Sequence, residues 1–291
     1  MTVHKPVLLS EVIEWLNIKP GNKIIDATLS GGGHVLGILE KYPGISILGI
    51  EWDPDIFQEF QGSELASQVI AVNDSYTNLK NIVAEHNFKP DGIIFDLGLS
   101  SKHFESGRGF SFRKDEPLDM RFSLKDTQTT AAEIINTWEA EELEKILLEY
   151  GEERFAPQIV KEIISTRREK PITTTLELVG VIGQVVPEGY KKRKIHFATK
   201  TFQALRIAVN DELGNVKKGI EAAIDVLNPG GRLVVITFQG LEDIIIKQIF
   251  KNKVKEGVIT LPFKGSIKPK WEEVKENPRA RSAKIKVAEK L

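Results

Sequence analysis

From residue 23 onward, short β-branched runs alternate with helical segments, and this alternation leaves the chain few folds to choose from. Lys23–Leu29 reads as a strand, Ser30–His34 as a glycine turn, Val35–Lys41 as a helix and Ile45–Ile50 as a second strand. Val69–Val72 and Asp91–Leu97 read as a third and a fourth. Strands joined through helices run parallel, because the crossover must carry the chain back to the same end of the sheet. The expected class is therefore α/β, with a doubly wound parallel sheet. The same texture returns late in the chain. Glu221–Leu227 reads as a helix, Pro229-Gly230-Gly231 as a turn and Arg232–Phe238 as a strand. Residues 7–18 form an amphipathic helix that Pro20-Gly21 ends.

Residues 106–207 break the alternation. Segments 130–137, 140–150, 156–168 and 176–186 carry apolar residues at helical spacing, and Thr174 with Glu177 three residues on supplies a capping box. We read this stretch as a helical domain inserted into the α/β domain, which would comprise residues 1–105 and 208–291. Composition mainly excludes. There is no cysteine, hence no disulfide or thiolate metal site, and the five histidines include no H-x-x-x-H pair. No metal is expected. The N-terminus has no basic segment leading into an apolar one, and no apolar run is long enough to span a bilayer. A cytoplasmic protein without membrane contact is expected. The 40 basic and 41 acidic side chains cancel, so net charge identifies no partner.

Chemistry concentrates at the strand ends. In Asp26-Ala27-Thr28-Leu29-Ser30-Gly31-Gly32-Gly33-His34 a strand closes on a carboxylate, and a glycine turn then opens a helix. Glycine lets the backbone approach a ligand closely. Glu51, at the end of the next strand, is placed to accept hydrogen bonds from the two hydroxyls of an adenosine ribose. A glycine turn beside a solvated acid is the plainer reading. A dinucleotide fingerprint would require glycine at position 36, which is leucine. The acid ahead of the glycines suits a sulfonium amino acid better than a pyrophosphate.

Asp96 closes the fourth strand in Asp91–Ser101, at the sheet end where such folds hold ligands. An exocyclic base amine is a poor nucleophile because its lone pair is delocalised into the ring. A group accepting its N–H hydrogens helps localise that pair for in-line attack on a methyl group. Asp96, the Leu97 carbonyl and Ser100 are candidates, and a helix cap is the alternative role for Asp96.

A third block runs from Arg108-Gly109-Phe110-Ser111-Phe112 to Asp119-Met120-Arg121. Its aromatics could stack an extruded base and its arginines hold phosphates, or it could be a loop with core aromatics. The run Lys191-Lys192-Arg193-Lys194 precedes His196–Glu212, which contains Arg206 and Asn210. This run reads as a phosphate footprint or as a solvated loop, and so does the basic stretch 277–286.

These blocks, in this order, resemble the ribosomal RNA small subunit methyltransferase H family, also called MraW. The likeness runs from His4-Lys5-Pro6 to Asn277–Lys284, and its most specific parts are RGFSF, PLDMR, YGEERFA, TFQALRIAVNDEL and NPRARSAK. The resemblance implies a Rossmann-like class I methyltransferase sheet with an inserted helical domain that recognises RNA. It implies S-adenosylmethionine as cofactor and the N4 amine of a cytidine in the decoding region of small-subunit (16S) ribosomal RNA as target. Family cofactor contacts fall on Gly32, Gly33, His34, Glu51, Tyr76 and Asp96, with His103 at a position usually glutamine. Asp26 joins this set from the strand-end reading. Asp96, Ser100 and Asp119 form the candidate catalytic set. Arg108, Phe110, Phe112, Arg121, Lys191, Lys192, Arg193, Arg206 and Asn210 form the candidate substrate set. Departures include Ser30 for a glycine, Glu51 for aspartate, Tyr76 for phenylalanine, and Gln239, Gly240 and Ile244 for histidine, serine and arginine. A non-catalytic or retargeted RNA-binding paralogue and a nicotinamide-dependent oxidoreductase are the alternative classes.

Overall fold

The computed structural model describes residues 6–125 and 129–291, so His4 and Lys5 lie outside the described residues. The chain divides into two compact units. One takes the described residues up to Gly98 together with Leu213–Leu291, and the other is Leu99–Glu212.

The first unit is built on a seven-stranded sheet of order β3-β2-β1-β4-β5-β7-β6. Its strands are β1 (Lys23–Asp26), β2 (Ser46–Glu51), β3 (Ile70–Asn73), β4 (Gly92–Asp96), β5 (Arg232–Thr237), β6 (Ile259–Thr260) and β7 (Lys284–Lys290). β1 to β5 pair in parallel, while β7 runs antiparallel to both neighbours. The sheet is thus of the Rossmann-like class I methyltransferase kind. Its central strands are apolar at consecutive interior positions because both faces are covered. Successive side chains point to opposite faces. Ile25, Ile93 and Val235 accordingly join one buried cluster, with Ile220 and Ile246 from the helices of that face. Ile24, Ile94 and Val234 join the other, with Val12 and Val35.

Strand order reverses between β1 and β4: the chain leaves β1 toward β2 and β3, then crosses back to start β4 on the other side. Such a switch point opens a crevice at the carboxyl ends of the two strands. β7 takes in the last three residues, 284–286, of the basic stretch near the C-terminus. Its Lys286 is 5% exposed, forms an ion pair with Asp243 Oδ1 at 3.1 Å and donates to Ser266 Oγ at 2.6 Å. That lysine is part of the sheet, not a solvated phosphate contact.

The second unit packs the helices Ala131–Thr137, Ala140–Glu149, Ala156–Glu169, Thr175–Val185 and Thr199–Asn210 around its own core. Thr174 and Glu177 close the predicted capping box. The unit begins at Leu99, which packs on that core, and extends to Glu212, which Arg206 holds. Among the described residues, no helix is long and apolar enough to cross a membrane, and no cluster of side chains could hold a metal.

Candidate active site

Asp26 and Asp96 end the adjacent strands β1 and β4 at the switch point. The Thr28 hydroxyl joins them, accepting from the Asp96 main-chain amide at 2.7 Å and donating to Asp26 Oδ1 at 3.4 Å. Asp26 Oδ1 also accepts from the Thr28 amide at 3.0 Å. The following turn is left-handed at Ser30 (φ 46°) and Gly32 (φ 73°). Serine therefore holds a backbone conformation that glycine adopts more easily. Glu51 pins this turn to the end of β2: Oε2 accepts from the Ser30 amide and Oε1 from the Asp53 amide, each at 2.8 Å.

Gly32 caps the helix Gly33–Lys41, whose first amides have no partner within the helix. His34 is buried, with Nε2 2.9 Å from the Val7 carbonyl and Nδ1 3.7 Å from Asp96 Oδ2. Burial lowers its pKa, so the ring is neutral and Nε2 is the nitrogen that donates to the carbonyl. At this turn the groups left to meet a ligand are main-chain amides, not the imidazole. Tyr76 stands edge-on to Phe95 at 5.4 Å. Its ring also fills the space that a Cβ on Gly219 would need, 2.5 Å away.

The electrostatics of this end of the sheet are unusual. Burial raises the Asp26 pKa to about 6, which the neighbouring His34 and the Thr28 amide bond only partly offset. Burial raises Glu51 to about 7 against the bonds from Asp53 and Ser30. Burial, then the neighbouring charge of Glu242, raises Asp96 to about 7. Asp96 Oδ1 is buried and has no hydrogen-bond partner among the described residues. The only nearby basic side chain that these carboxylates meet, among the described residues, is the neutral His34. Buried acids without a cation favour a ligand that brings positive charge and hydroxyl donors. S-adenosylmethionine carries a sulfonium, an ammonium and a ribose diol, and so fits. A dinucleotide would set a doubly charged pyrophosphate against the same acids, and does not.

In the second unit many of the expected contacts prove to be internal. Ser100 caps the helix Ser101–Glu105, and His103 Nδ1 accepts from the Ser100 amide at 3.2 Å. The His103 ring packs on Phe110 and Phe122, 5.2 and 4.8 Å away. Expected as a cofactor contact, this imidazole serves as a cap and core residue. Asp119 is clasped by Arg121 through Nε at 2.8 Å and Nη2 at 2.7 Å. Burial alone would raise its pKa, but the Arg121 bonds outweigh that and hold it below the usual carboxylate range. A carboxylate so stabilised is a poor proton acceptor, which argues against the catalytic role expected of it.

Arg108 Nη1 donates to the carbonyls of Arg121 and Phe122 at 3.0 and 3.2 Å. Asn210 Nδ2 donates to the Met120 carbonyl at 2.7 Å, and its Oδ1 accepts from the Phe122 amide at 2.8 Å. Phe110 is 6% exposed and lies parallel to Phe122 at 5.5 Å. Arg206 pairs with Glu212 through Nε and Nη2 at 2.6 and 3.0 Å. Arg108, Phe110, Arg121, Arg206 and Asn210, expected to touch substrate, all make contacts within their own unit, the polar ones because buried donors must find acceptors nearby. Phe112 stacks on His196 at 4.5 Å. Lys191 pairs with Glu188 at 2.6 Å and Arg193 lies over the Tyr190 ring at 5.1 Å. Lys192 and Lys194 are exposed, with no ion pair among the described residues.

Three residues of the site escaped the sequence reading: Thr28, Asp53 and Glu242. Asp53 is fully buried and caps the helix Pro54–Gln61, a role that Asp before Pro signals. Glu242, 3% exposed, accepts from the Phe238 and Gln239 amides at 2.9 and 3.3 Å. Its place three residues after Gln239 is a capping-box spacing.

A family model described as the MraW methylase family matches residues 1–291. The chain is 47% identical over 296 residues to the Ribosomal RNA small subunit methyltransferase H of Dictyoglomus thermophilum, covering 99% of this chain and 97% of that protein. Proteins of the same name from Thermosipho melanesiensis and Persephonella marina are 43% and 39% identical. The first alignment covers 99% of this chain and 98% of the relative, and the second covers all of both.

Proposed function

The chain belongs to the MraW methylase family, and from that premise we propose that it transfers a methyl group from S-adenosylmethionine to the N4 amine of a cytidine in small-subunit (16S) ribosomal RNA. The small ribosomal subunit is its substrate particle and the cytoplasm its compartment. The observation that carries the chemistry is the trio Asp26, Glu51 and Asp96 at the carboxyl ends of the strands: two buried acids and a half-buried one whose Oδ1 is enclosed, without a cation. Bound there, the cofactor supplies an electrophilic methyl on sulfur. Glu51 would accept from the ribose hydroxyls, Asp26 and Asp96 would offset the positive charge, and the amides opening the helix Gly33–Lys41 would hold the amino-acid carboxylate. Asp96 then accepts a hydrogen of the target amine, so that the nitrogen lone pair is free for attack. The test is labelled S-adenosylmethionine with small subunits lacking this methylation, followed by mass spectrometry of the digested RNA. N4-methylcytidine carrying the label is expected. Label in another nucleoside, or none, would sink the reading and favour a retargeted or non-catalytic paralogue.

A pH dependence follows from the trio. In the free protein Asp26 keeps its proton to about pH 6, and Glu51 and Asp96 keep theirs to about 7. Unfolded, these groups titrate near about 4. Between those limits the folded state holds more protons, so the free protein loses stability as pH rises from about 4 to about 7. A cationic ligand favours the ionised acids and drives those protons off. S-adenosylmethionine affinity is therefore expected to rise from about pH 5.5 to about 7.5. S-adenosylhomocysteine, which lacks the sulfonium, should gain less. Calorimetry across that range checks this, and a flat profile for both ligands would show that the acids are already ionised.

We assign the exposed basic run of the second unit to RNA phosphates. Neutralising Lys192, Arg193 and Lys194 together is expected to reduce the salt slope of RNA binding by about 2 and to spare cofactor affinity. An unchanged slope in filter-binding titrations would make the run a solvated loop.

A further inference from the structure

The sheet edge formed by β7 and β6 carries a feature that the cofactor site does not use. A groove of about 360 Å³ lies between the helix Gly240–Lys255 and the segment 261–265. Its apolar lining includes Phe250, Leu261 and Phe263, and Lys247, Lys251 and Lys255 stand along it. Those lysines are four residues apart on one helix, so they form a row with steps of about 6 Å. Lys247 is spoken for by Asp243 at 2.7 Å. Lys251 and Lys255 are exposed and have no ion pair among the described residues. Lys264 and Lys268, on the segment that follows the groove, have no ion pair there either. The nearby acids are already engaged: Asp243 by Lys247 and Lys286, and Glu256 by Lys253 at 2.7 Å. Phe263 is 41% exposed, although it is large and apolar.

We propose that this groove is a second RNA grip, which holds single-stranded nucleotides flanking the methylation target. The inference rests on the RNA-methyltransferase reading given above. Unpaired ammonium groups in a row beside an exposed ring are what a single strand requires: phosphates meet the lysines, and an unstacked base lies on the aromatic. An anionic bilayer would need a broad apolar face, and here the apolar surface is confined to a groove. β6 lies three strand positions from β4, a lateral distance of about 14 Å at ordinary strand spacing. The nucleotides held here are therefore neighbours of the target base and not the target itself.

The test is fluorescence anisotropy with a labelled single-stranded RNA of about ten nucleotides, run beside phosphatidylglycerol vesicles and cofactor calorimetry. Substituting Lys251, Lys255 and Lys264 together by alanine should weaken RNA binding about ten-fold and lower the salt slope by about 2. S-adenosylmethionine affinity should not change. Because Phe263 also packs against Trp15 at 5.8 Å, Phe263→Ala could disturb folding. Phe263→Leu keeps apolar volume but loses the stacking face and should weaken RNA binding, whereas Phe263→Tyr should preserve it. Unchanged RNA affinity in the lysine variant, or a loss confined to vesicle binding, overturns the proposal. If the wild-type protein labels small subunits and the lysine variant does so with the same KM, the second grip alone fails. If the wild type labels none, the parent reading fails.

Discussion

Asp96→Asn is expected to slow methyl transfer by about 10²- to 10⁴-fold at saturating cofactor, the range for loss of a positioned proton acceptor. S-adenosylmethionine affinity should fall much less. The variant is nearly isosteric, and the main-chain amide of residue 96 keeps its bond to the Thr28 hydroxyl, now 2.7 Å long. What is lost is basicity. The Asp96 pKa, raised to about 7 by burial and then by Glu242, is matched to accepting a proton near neutral pH. Its Oδ1 is buried without a partner among the described residues and is therefore an acceptor waiting for a donor. The competing role is purely electrostatic, with Asp96 holding the cofactor and the Leu97 carbonyl taking the hydrogen of the amine. Single-turnover kinetics separate the two. A wild-type rate for Asp96→Asn would remove the carboxylate from the chemical step.

Glu51→Ala is expected to weaken S-adenosylmethionine binding by about ten-fold or more. A charged hydrogen bond contributes about 1.5–3 kcal/mol, and a ribose offers two hydroxyls. Part of the loss would come from the turn itself, since Glu51 also accepts from the Ser30 and Asp53 amides. Glu51→Gln is the milder change: its amide keeps the volume and one of the two acceptor oxygens but removes the charge. We expect Gln to lose some stability as well, because its NH2 cannot accept from one of the two amides that Glu51 holds, and to bind between wild type and Ala. Equal affinity for Ala and wild type by calorimetry would take Glu51 out of the cofactor site.

Much of the sheet could be read directly from residue order. Pairs such as Ile24 and Ile25, or Val234 and Val235, are apolar at consecutive positions, which a strand tolerates only when both faces are buried. Asp26, Glu51 and Asp96 stand out because polar residues break those runs where strands end. Thr174 and Glu177 are three residues apart, so their capping box is a local signal. The strand β7 was hidden. Its lysines resemble a solvated run until Lys286 meets Asp243, which stands on a helix far earlier in the chain.

The same distinction governs the second unit. Arg108, Arg121, Arg206 and Asn210 are the kinds of residue that hold RNA; Arg121 and Arg206 have acids two and six residues away, but nothing in the local sequence shows what occupies Asn210. Asn210 meets Met120 and Phe122 across 90 and 88 positions of chain. Whether a polar side chain is free or engaged is decided by the groups that folding brings beside it, often from remote positions. The raised pKa values of the three strand-end acids are of the same origin, since desolvation depends on everything that surrounds a group. Sequence by itself determined the five parallel strands, the family and the acids at their carboxyl ends, because periodicity and strand ends are local. Tertiary structure alone decided which charges remain available to a ligand, because burial and pairing are not.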